Sequence, residues 1–372
     1  MQRSTFLALA ATGVLLAGCL SSSPTEPSSD DRVGAASRET YVVPEVPHVD
    51  AAELLRDHAE FVRANSDRRD NTEDHENARL AILERFASYG LETYRHDFVN
   101  DIPQANLIGI KWGIVRDQWV VVGGHYDIVN TPPCLPGVPQ CQFQTEGAYD
   151  DASGTMMSVH LAKAFANTTP YYTMAFIAYD GEERGLNGAS AFVRDFVTGD
   201  DGEYPTPYGR VKIIGALDLD MIGLNWPGVM APINVLTNSE LTYKVADEKR
   251  HEMDWPDAQW RRKDGLKLGS SDYARFWSVS EEDGGPIPTM FFIADFEEIG
   301  APNAGGEVPA EAYTPFGAYP FWHLEDTVET MTAMAGGQAN LESGFQAAAD
   351  VAAHVLHAYA CHPLYEFDAE VY

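Results

Sequence analysis

Apolar positions along the chain follow two rhythms. From Val49 onward, Leu54, Leu55, His58, Phe61 and Val62 recur at three- and four-residue intervals, the spacing of one helix face. A second helical stretch covers residues 76–89 through Ala78, Leu80, Leu83 and Phe86, with Gly90 placed to cap it. Short, continuous apolar runs then appear at 106–111, 119–123, 173–178, 213–219 and 290–294, and such runs mark strands covered on both faces. Helical patterns at 154–165 and 188–197 separate several of them, and a last helix covers about 339–359. Strands alternating with helices predict an α/β fold, a three-layer α/β/α sandwich around a mixed, mostly parallel central sheet. No repeat or linker interrupts residues 49–372, which read as a single domain.

The first 48 residues follow another pattern. Arg3 precedes an apolar stretch at 6–17, too short to span a bilayer and the right length for the core of a signal peptide. Leu16-Ala17-Gly18-Cys19 follows and resembles the lipobox of prokaryotic lipoproteins, which implies cleavage after residue 18 and a lipid on Cys19. Residues 19–48 begin with Ser21-Ser22-Ser23-Pro24-Thr25-Glu26-Pro27, a composition that buries too little apolar surface to fold and suits a flexible tether. The expected location is extracytoplasmic, anchored to the membrane through Cys19 alone or secreted.

Charge narrows the partners. Fifty-six acidic residues against 25 basic give a formal net charge of -31, which repels nucleic acid and anionic lipid headgroups. The acids are scattered rather than clustered at one motif, a distribution that fits adaptation to high salt. In an exported chain Cys134 and Cys141 form a natural disulfide pair around a short loop, which leaves Cys361 over.

Polar residues concentrate where the apolar runs end. The run at 119–123 leads into His125-Tyr126-Asp127, and Tyr149-Asp150-Asp151-Ala152-Ser153-Gly154 precedes a helix. The run at 173–178 leads into Asp180-Gly181-Glu182-Glu183, the run at 213–219 into Asp220-Met221, and Trp322-His323-Leu324-Glu325-Asp326 lies far downstream. In open α/β sheets, function gathers at the carboxyl ends of strands. Adjacent buried carboxylates repel one another, and a divalent cation removes that cost. Imidazole and carboxylate donors without thiolate suit zinc, with manganese or cobalt as substitutes, and their number suits two ions sharing a bridging carboxylate.

These segments, in this order, resemble the M28 family of zinc exopeptidases of the bacterial leucyl aminopeptidase type, over roughly residues 50–360. The resemblance implies that His125 and Asp220 bind one ion, Glu183 and His323 bind the other, and Asp150 bridges them. It makes Glu182 the general base, with Asp127 and Asp326 orienting His125 and His323, and it implies a cis bond between Asp150 and Asp151. The expected activity is hydrolysis of N-terminal residues from peptides, by a monomer holding two zinc ions. Two positions depart from the family pattern. Tyr273 stands in Ser271-Asp272-Tyr273 where many members have histidine, and Trp322 occupies the place of a tyrosine that assists the oxyanion, so either could supply that donor.

Trp322-His323 and Asp180-Gly181-Glu182-Glu183 also resemble glutaminyl-peptide cyclotransferases, which use a single zinc ion; the paired Asp150-Asp151 favours the peptidase. A non-catalytic peptide-binding lipoprotein is a third reading, disfavoured because every ligand and the base are present. His160, His354 and His357 read as structural, His75 as part of a solvated helix start, the acidic run at 200–203 as a surface loop, and Phe291-Phe292 as core strand. Replacement Cys19→Ser should move the protein from the membrane fraction to the soluble extracytoplasmic fraction on immunoblots. Retention of the variant in membranes would rule out the lipid anchor.

Overall fold

The computed structural model describes residues 41–130, 145–199, 203–224, 233–255, 260–262, 271–293 and 326–363. Two helices open it, α1 (Ala51–Ala64) and α2 (Glu73–Ser88), each started by a side-chain cap, Asp50 and Thr72. Strands β1 (Glu92–Asn100), β2 (Ile102–Lys111) and β3 (Val115–His125) follow. Then come α3 (Ala152–Phe165), β4 (Tyr172–Tyr179) and α4 (Asn187–Phe192), whose last turn widens into a π-helix at Val193–Thr198. Next are β5 (Lys212–Leu219), β6 (Ile233–Thr237), α5 (Glu240–Glu252) and β7 (Trp260–Arg262). The chain continues through α6 (Tyr273–Trp277), β8 (Thr289–Ile293), α7 (Val328–Met334) and the long α8 (Gln338–Cys361).

The strands form one mixed sheet in the order β1-β2-β4-β3-β5-β8-β6-β7. Its centre, β4-β3-β5-β8, is parallel, while β2 joins β4 and β6 joins β8 antiparallel. Alternation along β3 sends side chains to opposite faces. Val120 and Val122 enter a core shared with α1, α2, α3 and α8, while Trp119 and Val121 enter one shared with Phe192, Phe196 and Phe276. Helices thus cover both faces, the three-layer α/β/α sandwich expected.

Strand β1 was not expected. Only His96 and Phe98 are buried along it, so an edge strand carrying Arg95 and Asp97 shows no apolar run. The downstream segment of β6, α5 and β7 likewise lacks a strong pattern. Phe291 and Phe292 are buried on opposite faces of β8, as core residues. Cys361 is a buried free thiol on α8; Cys19, Cys134 and Cys141 lie outside the described residues. Among the described residues no helix is long and apolar enough to cross a membrane.

Strand β3, strand β5 and the first turn of α3 converge where side chains have no room. A Cβ on Gly154 would fall 1.8 Å from Leu219 O, and one on Gly124 would fall 2.4 Å from both Leu219 O and Asp151 Oδ2. Backbone cannot yield as a flexible side chain can, so overpacking here is costly. Gly154→Ala should lower thermal stability by about 3 kcal/mol or more, several degrees in Tm on a thermal melt.

Candidate metal centre

His125 is the last residue of β3, and its ring is buried. Its Nε2 lies 3.0 Å from Asp150 Oδ1 and 3.9 Å from Asp220 Oδ1. Ligand atoms of the three residues lie within 4.8 Å of one another, and all three side chains are buried. Yet His125 Nε2 and Asp220 Oδ1 make no hydrogen bond among the described residues. Lone pairs that converge at ion-pair distance without hydrogen-bond geometry form a cradle for a cation, and this imidazole–carboxylate set fits zinc.

Asp150 arrives through the loop before α3, and the Asp150–Asp151 peptide is cis, as expected. Asp151 caps α3 and ties the ends of β3 and β5 to the first turn of that helix. Its Oδ2 accepts from His125 N at 3.1 Å, and its Oδ1 accepts from Gly154 N at 2.8 Å and Met221 N at 3.2 Å. Ser153 adds a link by donating to Tyr149 O and accepting from Ile222 N.

Glu182 and Glu183 sit on one 3₁₀ turn, Glu182–Arg184, entered through Gly181 at φ 71°. Glycine is required there, since a Cβ would meet the Gln104 amide at 2.0 Å. Asp127 holds the turn, with Oδ1 and Oδ2 accepting from Glu182 N at 3.1 Å and Glu183 N at 3.2 Å. Its Oδ1 also lies 3.5 Å from His125 Nδ1, so the expected orienting acid spans both segments.

Asp326 has a buried carboxylate that accepts from Tyr149 N and from Asp150 N at 2.8 Å, fixing the segment that presents Asp150. Tyr273 has a buried ring that stacks on Phe291 at 4.7 Å, beside Leu236 and Ile293, and its hydroxyl makes no hydrogen bond among the described residues. His323 and Trp322 lie outside the described residues.

The sequence reading missed Asp218 and Asp272. Asp218 precedes Asp220 by two residues on β5, the period of one strand face, a signal that was available in Leu217-Asp218-Leu219-Asp220. It accepts from Tyr273 N at 2.8 Å, and both oxygens of buried Asp272 make no hydrogen bond among the described residues. His75, expected on a solvated surface, is buried with Nε2 3.0 Å from Asp180 Oδ1; Asp180 also receives Arg79 at 2.6 Å and Ala105 N. His160 pairs with Asp57, and His357 with Pro44 O, both structural.

Crowding shifts the titrating groups. Burial, then Asp150 and Asp218, lift Asp220 to about 8, and burial with neighbouring carboxylates raises Asp151, Glu182 and Asp272 well above the usual range. Burial lifts Asp326 to about 7 against its two amide bonds. Burial alone would lower His125, but Asp127, Asp150, Glu182 and Asp220 outweigh it and the ring rises well above its ordinary value.

The fold is an α/β sandwich, and this donor set suits a divalent cation. Residues 106–334 match Peptidase family M28, and the chain belongs to that family. A probable zinc metalloprotease of Pyrenophora tritici-repentis is 35% identical over 107 residues, 29% of this chain and 21% of that protein. Aminopeptidase YwaD of Bacillus subtilis is 30% identical over 131 residues, 35% of this chain and 24% of the relative. The chain thus spans about a fifth of the length of the first curated relatives it matches. BSAP, a zinc aminopeptidase from Bacillus subtilis, superposes with a TM-score of 0.59 at 14% identity, covering 85% of this chain and 96% of that one. A Bacteroides thetaiotaomicron glutaminyl cyclase gives 0.59 at 16%, covering 84% and 99%. At those identities the likeness is one of fold.

A metal ligand must shed its proton. Burial and neighbouring carboxylates lift Asp220 to about 8, and the surrounding acids raise His125 well above its ordinary value, so both lean toward their protonated forms. Zinc binding at pH 7 should therefore release at least one proton, and apparent affinity should climb with pH until about 8. Calorimetry in buffers of different ionisation enthalpy checks this; proton-neutral binding at pH 7 would contradict it.

Proposed function

We propose that the protein is a zinc-dependent aminopeptidase that removes N-terminal residues from peptides, working as a lipid-anchored extracytoplasmic enzyme. The observation that carries the reading is the buried convergence of His125, Asp150 and Asp220 on a shared point, in a chain of this family. His125 and Asp220 would hold one ion, Glu183 and His323 the second, and Asp150 both. Bound there, divalent ions lower the pKa of a water and polarise the scissile carbonyl.

The remaining chemistry belongs to the chain. Glu182 stands beside this centre, and its raised pKa brings it toward the range in which a carboxylate can both take a proton and return it. Asp127 keeps Glu182 and Glu183 in register by binding both amides, so base and ligand move as one unit. Asp151 and Asp326 fix Asp150 from either side. One catalytic unit from residue 49 onward agrees with Gln346 of α8 bonding Val49 O and Ala51 N.

A single-zinc glutaminyl cyclase is the competing reading, and the fold likeness serves both. The peptidase is favoured because the cyclase, as read from the sequence, leaves His125 and Asp220 without an ion, whereas here both point orphaned atoms into the centre. Release of amino acid from a chromogenic leucyl amide should be abolished by chelator and restored by zinc. Glu182→Gln should keep its zinc and melting temperature while kcat falls about 100- to 10,000-fold. Near-normal turnover of that variant would overturn the base; cyclisation of N-terminal glutamine without amide hydrolysis would overturn the peptidase.

A further inference from the structure

Arg68 comes from a polar stretch between α1 and α2, yet its side chain is fully buried. Buried arginines ordinarily pair with a carboxylate. This one bonds only main-chain carbonyls, Nε to Tyr126 O at 2.7 Å, Nη1 to Asn65 O at 3.0 Å and Glu146 O at 2.8 Å, and Nη2 to Gly147 O at 2.8 Å. The Phe61 ring backs the guanidinium, with Cζ 5.3 Å from its centroid.

Those carbonyls belong to the segments that matter. Tyr126 stands between His125 and Asp127, and Glu146 and Gly147 lead into Tyr149 and Asp150. The second segment is gripped along its length. Arg68 takes its first two carbonyls, His58 Nε2 lies 2.6 Å from Ala148 O, and Asp326 takes the amides of Tyr149 and Asp150. Burial brings the guanidinium down only to about 10, so it stays charged at neutral pH, where Asp326, Asp127 and Asp151 feel it through space. Since no carboxylate among the described residues bonds to it directly, its charge is not consumed by one local pair there. We infer that Arg68 is a positioning residue of the metal centre, its planar fork setting the distance between His125 and Asp150 while its charge offsets the carboxylates around them.

A lysine cannot reproduce this function, because one ammonium cannot send donors along the fixed directions of a planar fork. The inference rests on the metal reading above, and the test separates the two. In the full chain, the zinc dissociation constant by chelator competition, and Tm with and without zinc, are measured for wild type, Arg68→Lys and Gly147→Ala. The second variant crowds the same contact from its partner, since a Cβ there, at φ +58°, would lie 2.7 Å from Arg68 Nη2 and from Asp150 O and 2.3 Å from Ile128 Cγ2.

Arg68→Lys is expected to weaken zinc binding about 10- to 100-fold, with a smaller zinc-induced rise in Tm and a fall in kcat larger than any change in KM. Gly147→Ala should weaken zinc several-fold and carries the test alone where Arg68→Lys does not fold. A merely structural role would lower both melting temperatures in parallel and leave zinc affinity within about twofold, and that result overturns the inference. A wild type whose Tm ignores zinc would instead overturn the metal reading itself.

Discussion

Carboxylates gathered under the ends of β3, β4 and β5 repel one another, and the architecture around them is arranged to make that repulsion tolerable. Asp127, Asp150, Asp151, Asp218, Asp220, Asp272 and Asp326 are all buried. Burial and proximity both disfavour their charged forms. Four of them are met by main-chain amides, Asp127 by two, Asp151 by three, Asp326 by two and Asp218 by that of Tyr273. Charge-assisted bonds of this kind contribute about 1.5–3 kcal/mol each, and they also fix where the chain can run. The loops at this end of the sheet are thus shaped by the anions they surround.

Close backbone approach makes that arrangement possible. Gly124 and Gly154 let β3, β5 and the start of α3 meet within reach of a single aspartate, and Asp151 exploits the meeting by bonding to all three. The parallel centre of the sheet delivers the ends of β3, β4 and β5 to one edge, so residues remote along the chain become neighbours. His125, Glu182 and Asp220 then need only short extensions of those strands to meet. The hydrophobic layers on either face supply rigidity, and the ionic layer at the edge supplies chemistry.

The parts legible in the sequence were those written as side-chain pattern. Continuous apolar runs revealed β2 to β5 and β8, and acids next to those runs marked His125, Asp150, Glu182 and Asp220. Interactions made through backbone left no such trace. Arg68 sits among polar residues and bonds only carbonyls, so nothing in Ser66-Asp67-Arg68-Arg69-Asp70 distinguishes it from a solvated loop. Asp326 was legible as an important acid, but its bonds to the amides of Tyr149 and Asp150 were not, because they span about half the chain. His75 was misread because its partner Asp180, which Arg79 also bonds, is remote in sequence and meets it only in the folded chain.

The charge balance also bears on how many cations the centre is built for. Arg68 is a single positive charge, and its bonds commit its geometry to carbonyls on the Tyr126 and Gly147 side. It can soften the field around Asp127, Asp151 and Asp326, but it donates nothing to Asp220, Asp218 or Asp272. Those three gather where β5 ends and α6 begins; burial raises each of them, and neighbouring carboxylates add to it for Asp220 and Asp272. An ion held only by Glu183, His323 and Asp150 would leave the β5 side, among the described residues, with His125 as its nearby cation, and only while that ring is protonated. An ion between His125 and Asp220 would supply the charge that side lacks, at the point toward which their unbonded atoms converge. The electrostatic demand of β5 is the physical argument for the two-ion centre we propose.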